Sequence, residues 1–340
     1  MSHQFAPAIR TRPVSDRVIP QLARMADALL GPRGCLFTFH RGAPSAIWET
    51  LPNRDFYLDL GFLDQLLSYL TRYGWDIVTM DEVLRRSTGG GAGNRYANFS
   101  VDDCYRDTFE EVVPLFRRYR VPITLFVTTG IPDGTLPLWT VGLEQVLLQR
   151  DRVILTDETI SVETAESKQA AFRAITASWE RDDASRCYRE FCERNGVDAE
   201  ELHWKHAISW EMLEILRKDP LVEIGAHTVS HARVASLSVA DAVAELEGSR
   251  ERLSNRLGFE VRHFAFPYGR SGDCGPRDFE IARRSGYASA ATTRKGLVRR
   301  NQNPFSLPRN TINGAHRSLA LMETHLTGLS GLAARVIGRV

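Results

Sequence analysis

Short apolar runs alternate with helical patterns along most of this sequence, and this alternation limits the folds that the chain can adopt. Each run has the length of one strand, and most are followed by apolar residues at helical spacing. Strands that alternate with helices are typical of a parallel sheet built from βα units. The runs lie at 35–39, 96–101, 121–129, 221–226, 263–266 and 288–292. We therefore predict an α/β fold, with one barrel-like domain as the simplest arrangement.

The stretch between residues 130 and 219 interrupts this alternation. Its pattern is mostly helical, and it carries many charged residues. No internal repeat or linker divides the chain, although 340 residues are enough for two domains. We predict a main domain over residues 1–310 with a helical insertion at about 131–219. A C-terminal amphipathic helix is predicted over 311–340.

Local patterns predict individual helices within this frame. Apolar residues at helical spacing predict a helix over 55–73 and a long helix over 239–257. Asp81 follows a predicted strand over 76–80. We expect its side chain to cap a short helix that extends through Arg86.

The charge of the chain is nearly balanced but unevenly distributed. Lys and Arg together number 43 and Asp and Glu 42, so the formal net charge is +1. This balance argues against a nucleic-acid partner bound through bulk charge. Residues 299–340, however, contain six arginines and one glutamate, with apolar residues at helical spacing from Leu319 to Val336. This tail is interpreted either as a helix docked on the body or as a basic helix in peripheral contact with a membrane or a partner chain.

Cysteine usage and the N-terminus indicate the compartment. The five cysteines are scattered and form no CxxC pair, which argues against a disulfide framework or a thiolate zinc site. The first residues contain no apolar signal region, and no window of 18 consecutive apolar residues follows. We predict a cytoplasmic protein, with membrane association through the tail as an option. The sequence sets no oligomeric state.

Polar residues suited to catalysis follow four of the predicted strands directly. They are His40, the pair Asp102 and Asp103, His227 with His231, and Tyr268. In parallel α/β folds the carboxyl ends of the strands meet at one edge, where active sites are assembled. Two histidines four residues apart can bind one metal ion, and an added carboxylate leaves positions open for water and substrate. The HxxxH pattern lacks the glutamate of HExxH, which disfavours a zincin.

Three ordered motifs resemble those of a known family. The segments FSVDDCYRD (99–107), IGAHTVSH (224–231) and FAFPYG (264–269) resemble the three motifs of the NodB-type polysaccharide deacetylases, carbohydrate esterase family 4. The resemblance covers roughly residues 35–310. It implies a distorted (β/α)7 barrel, with the helical insertion and the C-terminal helix as additions.

The resemblance also implies roles for individual residues. Asp103, His227 and His231 would bind a divalent metal, with Zn²⁺ expected and Co²⁺, Ni²⁺ or Fe²⁺ as options for the same N/O ligand set. Asp102 would be the general base that deprotonates water. The backbone amide of Tyr268, together with the metal, would stabilise the oxyanion.

The candidate general acid and two further positions differ from the common motifs of the family. No histidine stands in the C-terminal segment where many members of the family have one. His40 instead resembles the acid of the permuted poly-N-acetylglucosamine deacetylase branch. Cys104 stands where the motif has glycine, so a side chain there would narrow the groove or change the local backbone. Ala265 and Phe266 precede Pro267 without the usual arginine, and Arg309 is a hypothetical replacement that orients Asp102.

These assignments imply a metal-dependent hydrolase that removes the N-acetyl group from an amino sugar in a saccharide, an oligosaccharide or a lipid-linked intermediate. The expected partner is therefore an N-acetylated saccharide. Two alternatives stay open. The same site would serve a sugar O-deacetylase or a deformylase, and the departures at Cys104 and Ala265 also allow a non-catalytic carbohydrate-binding or scaffold barrel.

Overall fold

The computed structural model describes residues 34–89, 95–156, 158–181 and 183–331. In this part of the chain the main sheet contains eight parallel strands. Their apolar runs are buried because elements of the fold cover both faces of a parallel sheet. The strands are β1 (Gly34–Phe39), β4 (Asp76–Ile77), β5 (Tyr96–Asp103), β6 (Ile123–Val127), β9 (Val222–Ala226), β10 (His263–Ala265), β11 (Ser289–Ala291) and β12 (Asn310–Thr311).

The sheet curls into a barrel whose two edges are joined by one segment. The strand order is β11-β10-β9-β6-β5-β1-β12, and β4 pairs with the first residues of β5. Leu307 forms a parallel bridge with Ala291 in β11, and three residues later β12 pairs with β1. The segment from Leu307 to Thr311 therefore connects both edges of the sheet. The predicted α/β barrel is confirmed.

Helices surround the sheet and cover its outer face. The long helix predicted over 239–257 is confirmed: Ser238 caps its start, and Leu246, Leu253 and Leu257 are buried on one side. Gly258 then ends the helix in the left-handed conformation. The helices of the main body are α1 (Ser45–Trp48), α2 (Leu60–Arg72), α3 (Met80–Ser87), α4 (Val113–Tyr119), α10 (Val239–Leu257), α11 (Pro276–Arg284) and α12 (Leu319–Leu326).

Between β6 and β9 the chain leaves the barrel and forms a helical segment. A two-stranded antiparallel hairpin lies within it, and its apolar residues form a cluster apart from the barrel core. The elements of this segment are α5 (Trp139–Gln149), β7 (Arg152–Ile154), β8 (Thr159–Ser161), α6 (Ala165–Trp179), α7 (Ala184–Arg194), α8 (Ala199–His206) and α9 (Trp210–Leu216).

Two local predictions are wrong. The helix predicted over 55–73 begins only at Leu60, because the residues before it form β3 (Tyr57–Asp59), which pairs with β2 (Arg41–Ala43). The short helix α3 begins at Met80, and its cap is Thr79 rather than Asp81. The Thr79 hydroxyl accepts the Glu82 amide at 3.3 Å, which satisfies a free donor of the first turn.

The C-terminal segment contributes one short helix to the described residues. In α12, Met322 and Leu326 are buried in the main apolar core. Residues 332–340, which hold the last part of the predicted amphipathic helix, lie outside the described residues. Membrane contact through this tail stays a prediction. A search of the described residues finds no helix with the length and apolar character needed to cross a bilayer.

Candidate metal centre and active site

The strand register brings three potential metal ligands together at one edge of the barrel. Asp103 ends β5 and pairs with Val127 in β6, which in turn pairs with Ala226 in β9. His227 follows Ala226 directly. One carboxylate oxygen of Asp103 lies 3.7 Å from Nε2 of His227 and 3.2 Å from Nε2 of His231.

The surroundings of these ligands suit a divalent metal. The ligand atoms of Asp103, His227 and His231 all lie within 4.8 Å of one another. Nδ1 of the buried His227 lies 2.8 Å from the carbonyl oxygen of Ala265, which leaves Nε2 free to coordinate. Burial lowers the pKa of His227 to about 4, so this ring is neutral near pH 7, as coordination requires. Tyr105 donates a hydrogen bond to the second oxygen of Asp103 at 3.1 Å. The donor set therefore fits Zn²⁺ or a similar ion.

Cys104, which stands where the family motif has glycine, has a left-handed backbone and a buried side chain. Its φ is +70°, and that of the preceding Asp103 is +67°, both in the left-handed region that most residues avoid. The side chain is fully buried, with Sγ 3.8 Å from the Val101 carbonyl oxygen and 3.7 Å from that of Phe126. Of the two effects that the sequence allowed, a narrower groove is not seen, because the buried side chain does not line the cleft. Burial also raises the pKa of Cys104 well above its ordinary value, so it stays a thiol.

Asp102 is held by a fully buried arginine. The Arg309 guanidinium donates two hydrogen bonds to the Asp102 carboxylate, at 2.6 and 2.8 Å. It also donates to the Thr292 carbonyl oxygen and to the hydroxyls of Thr38 and Ser100. Burial is the largest single effect and alone would raise the pKa of Asp102. The charge and hydrogen bonds of Arg309, together with the nearby His227 and His40, outweigh it, and the pKa lies at about 2. Asp102 is therefore ionised at neutral pH.

His40 lies beside this pair and is supported by an aromatic ring. It follows β1, whose last residue Phe39 pairs with Val101, so His40 stands level with Asp102. Its ring stacks on Phe56 with 4.6 Å between ring centroids. His40 is partly exposed and lines the same cleft as Asp102.

Tyr268 lines the same cleft as His40. Its backbone is left-handed with φ +61°, and its ring is 48% exposed. The ring meets His231 edge-on at 4.9 Å and lies under the Arg233 guanidinium at 4.8 Å. Within the described residues, the Tyr268 amide makes no backbone hydrogen bond. That amide remains available to a ligand in the cleft.

These residues line one cleft of about 670 Å³ between the barrel edge and the helical segment. The barrel side contributes His40, Asp102, Asp103, His231 and Tyr268. The opposite wall comes from the loop before β3 and from helices α5 and α6. Its residues include Asn53, Phe56, Trp139, Phe172, Arg173 and Glu180. A cleft of this volume accommodates a small organic ligand or a short oligomer.

Comparison with known proteins identifies the family. Residues 89–289 match the family model described as polysaccharide deacetylase. The chain belongs to the polysaccharide deacetylase family. No curated protein matches it in sequence.

Several solved structures share the fold of this deacetylase chain. The Streptococcus pyogenes deacetylase PplD, in complex with acetate, is 16% identical with a TM-score of 0.59, covering 86% of this chain and 98% of its own. IcaB from Ammonifex degensii is 16% identical with a TM-score of 0.56, covering 88% and 99%. A de-N-acetylase from Aggregatibacter actinomycetemcomitans is 11% identical with a TM-score of 0.55, covering 85% and 98%. At these identities the likeness concerns the fold, and the predicted distorted (β/α)7 barrel is confirmed.

A second group of possible ligands lies near the amino-terminal ends of β9 and β10. Asp81, Glu223 and His263 also place ligand atoms within 4.8 Å of one another. Both carboxylates, however, already accept hydrogen bonds from other groups. Arg262 donates to Asp81 at 2.6 Å, and Glu223 accepts the amides of Met80 and Asp81 at 2.7 and 3.1 Å. We interpret this group as an ion-pair cluster that joins α3 to the sheet.

A buried charge cluster beside His40 was not anticipated from the sequence. Arg41 lies 3.2 Å from Asp107 and 3.6 Å from Glu144 of helix α5, and all three side chains are largely buried. Glu144 also accepts the Tyr57 hydroxyl at 2.5 Å and the Asn53 amide at 3.0 Å. It therefore holds both ends of the loop that carries the ring against His40. The signal in the sequence is a single charged residue, Glu144, within a mostly apolar helix.

Proposed function

We propose that this chain is a divalent-metal-dependent N-deacetylase that hydrolyses the N-acetyl group of an amino sugar in a saccharide, an oligosaccharide or a lipid-linked intermediate. The observation that carries the proposal is the convergence of Asp103, His227 and His231 beside Asp102 at the edge of one cleft. Membership of the polysaccharide deacetylase family supports acetyl hydrolysis. Zn²⁺ is the proposed ion because the ligands are one carboxylate and two imidazoles.

The proposed reaction needs a base for water. Asp103, His227 and His231 would hold a divalent ion, which would supply Lewis-acid polarisation of the acyl carbonyl and lower the pKa of water in the site. Asp102 accepts the proton of the water whose oxygen attacks the acyl carbon. Arg309 keeps Asp102 ionised and fixes the plane of its carboxylate.

The tetrahedral intermediate needs an oxyanion donor while it forms and an acid while it breaks down. His40 gives a proton to the nitrogen of the sugar as the C–N bond breaks, so that the products are acetate and the free amine. The Tyr268 amide donates a hydrogen bond to the carbonyl oxygen as negative charge develops there. The stacking contact with Phe56 orients the His40 ring toward the cleft.

The cleft supports a short saccharide as the bound part of the substrate. Its far wall is built by the helical segment and includes Trp139 and Phe172, whose rings offer apolar surface to a sugar face. A cytoplasmic location and contact of the C-terminal tail with a membrane would bring the enzyme to soluble or lipid-linked intermediates. Both remain parts of the proposal.

Acetate release from N-acetylated chito-oligosaccharides tests the proposal. The protein is stripped of metal with a chelator and assayed alone, with Zn²⁺ and with Co²⁺. We expect release only with added metal, and a loss of at least a hundredfold in kcat for Asp102→Asn, which keeps the shape of the side chain but removes the base. A wild-type protein that binds neither ion and releases no acetyl or formyl group from a panel of acylated amino sugars would contradict the proposal and favour a binding role.

A further inference from the structure

A carboxylate from a neighbouring helix holds the loop between His227 and His231. One oxygen of Glu245, in helix α10, accepts the amides of Val229 and Ser230 at 2.8 and 2.9 Å. Its other oxygen accepts the Ser230 hydroxyl at 2.6 Å. A single side chain therefore accepts from both central amides of this loop. Glu245 lies outside all three sequence motifs.

The loop needs such support because its backbone is strained at both ends. Thr228 has φ +64° and His231 has φ +57°, a left-handed conformation that is unfavourable for residues with a side chain. From the other side, the Gly130 amide donates to the Val229 carbonyl oxygen at 2.8 Å. Gly130 thus holds the Val229 carbonyl oxygen on one side of the loop, and Glu245 holds the Val229 and Ser230 amides on the other. Without that carboxylate, both amides would lose their acceptor and the strained backbone would relax.

The two histidines differ in how much they depend on this loop. His227 is buried, and its Nδ1 is fixed independently by the Ala265 carbonyl oxygen at 2.8 Å. The side chain of His231 is 25% exposed. In the part of the chain that the structure describes, no hydrogen bond to another residue is seen to fix its ring, which lies against the rings of His227 and Tyr268 and 3.2 Å from the Asp103 carboxylate. The position of His231 therefore follows the loop backbone, and so does its contact with Asp103.

We propose that Glu245 is a positioning residue for the metal centre: it fixes the loop that holds His231 Nε2 3.2 Å from Asp103. This inference rests on the proposed metal-binding function. The role belongs to the hydrogen bonds rather than to the charge, because Glu245 accepts from three neutral groups. Glutamine can reproduce all three contacts: its carbonyl oxygen accepts both amides, and its NH₂ donates to the Ser230 hydroxyl.

The test measures metal affinity rather than turnover. Metal-free wild type, Glu245→Ala, Glu245→Gln and Ser230→Ala are titrated with Zn²⁺ against a chromogenic chelator. We expect Glu245→Ala to weaken Zn²⁺ binding about 10- to 100-fold, which is typical when the support of a metal ligand is lost. Glu245→Gln should stay within about tenfold of wild type, and Ser230→Ala should fall between wild type and Glu245→Ala. The visible absorption of the Co²⁺-loaded proteins should change in shape for Glu245→Ala, because His231 is displaced.

A matched control separates the effect of Glu245 from a general effect of changing an acid on helix α10. Glu251→Gln changes an exposed glutamate of the same helix and should leave Zn²⁺ affinity and the Co²⁺ spectrum unchanged. Wild-type affinity in a folded Glu245→Ala variant would overturn the positioning role, and so would equal losses in the Ala and Gln variants. If Glu245→Ala does not fold, the comparison of Ser230→Ala and Glu245→Gln with wild type decides: wild-type affinity for Ser230→Ala overturns the role. A wild-type protein that binds neither ion removes the proposed function itself, which is a different result.

Discussion

At the scale of single residues, the pair of Asp102 and Arg309 sets the protonation of the site. Both side chains are buried, so each charge depends on the other for its stability. The pKa of Asp102 is lowered in the folded protein to about 2, below its ordinary value. The stability that this group contributes is therefore present above the unfolded pKa of about 3.9, and it is lost as the pH falls through the folded value.

Replacement of Arg309 by methionine removes this stabilisation. Arg309→Met leaves a buried carboxylate without its partner, and we expect a loss of about 3–5 kcal/mol in the free energy of unfolding at pH 7. The loss should shrink as the solution becomes acidic, because without Arg309 burial raises the pKa of the Asp102 carboxyl above its ordinary value and the group protonates in the variant. Urea unfolding at a series of pH values measures it, with Arg299→Met, at an exposed position, as control. A difference that does not vary with pH would contradict the ion-pair explanation.

Cys104, which stands where the family motif has glycine, should affect stability through its backbone conformation. At an ordinary buried position, glycine is less stable than alanine by about 0.5–1 kcal/mol. At φ +70° the order should reverse, because a residue without Cβ avoids the cost of the left-handed conformation. We therefore expect Cys104→Gly to unfold at a higher urea concentration than Cys104→Ala. If Cys104→Ala instead unfolds at the higher urea concentration, the backbone rearranges around the side chain.

The candidate site was predictable from sequence only where its residues follow strands. His40, Asp102 and His227 lie next to strand ends, so the parallel pattern alone places them at one edge of the sheet. The contacts that hold them were not predictable, because they join distant parts of the chain. Glu144 approaches Arg41 across about a hundred residues, and Glu245 meets its loop through helix packing that apolar spacing does not encode.

At the scale of elements, the repeating patterns predicted most of the barrel but not its small additions. Long helices and buried strands appear in the sequence as periodic runs, and α10 begins and ends at the predicted residues. The predicted start of α2 was wrong because Tyr57–Asp59 forms a strand that pairs with Arg41–Ala43. Such pairing is a tertiary interaction that helical spacing cannot reveal.

The C-terminal helix α12 carries a buried acid that makes stability depend on pH. Burial raises the pKa of Glu323 to about 7, and the Tyr69 hydroxyl of helix α2 donates a hydrogen bond to it. A raised pKa means that the contribution of this group is complete below the unfolded pKa of about 4.3 and is lost as the pH rises through about 7. The docking of α12 should therefore weaken in mildly alkaline solution.

Glu323→Gln tests this dependence directly. The amide stays neutral at every pH, so the variant should exceed wild type in unfolding free energy at pH 8 by about 1–2 kcal/mol, a value reduced for solvent screening. The two proteins should converge toward pH 4. Thermal unfolding at several pH values measures the difference, and Glu214→Gln, exposed on helix α9, serves as control. A constant offset between variant and wild type would contradict the assigned titration.

At the scale of the whole molecule, the metal ligands connect elements that are distant in sequence. Asp103 ends β5 and His227 follows β9, with β6 between them in the sheet. The insertion between β6 and β9 forms part of the wall of the cleft that faces the metal ligands. The same connection therefore joins two of the strands at the metal ligands and helps to enclose the cleft. An ion bound at Asp103, His227 and His231 would therefore resist separation of the central strands.

Metal binding should consequently stabilise the entire barrel. An ion at a hundred times its Kd adds about 2.7 kcal/mol to the free energy of unfolding, so excess Zn²⁺ should raise the Tm of the metal-free protein by several degrees. Asp103→Asn should abolish the rise, because it removes a ligand from the candidate centre. His263→Gln should lower the starting Tm yet keep the rise, since Asp81 and Glu223 are already occupied by other donors. A rise that survives Asp103→Asn but disappears in His263→Gln would move the metal site to the other end of the strands.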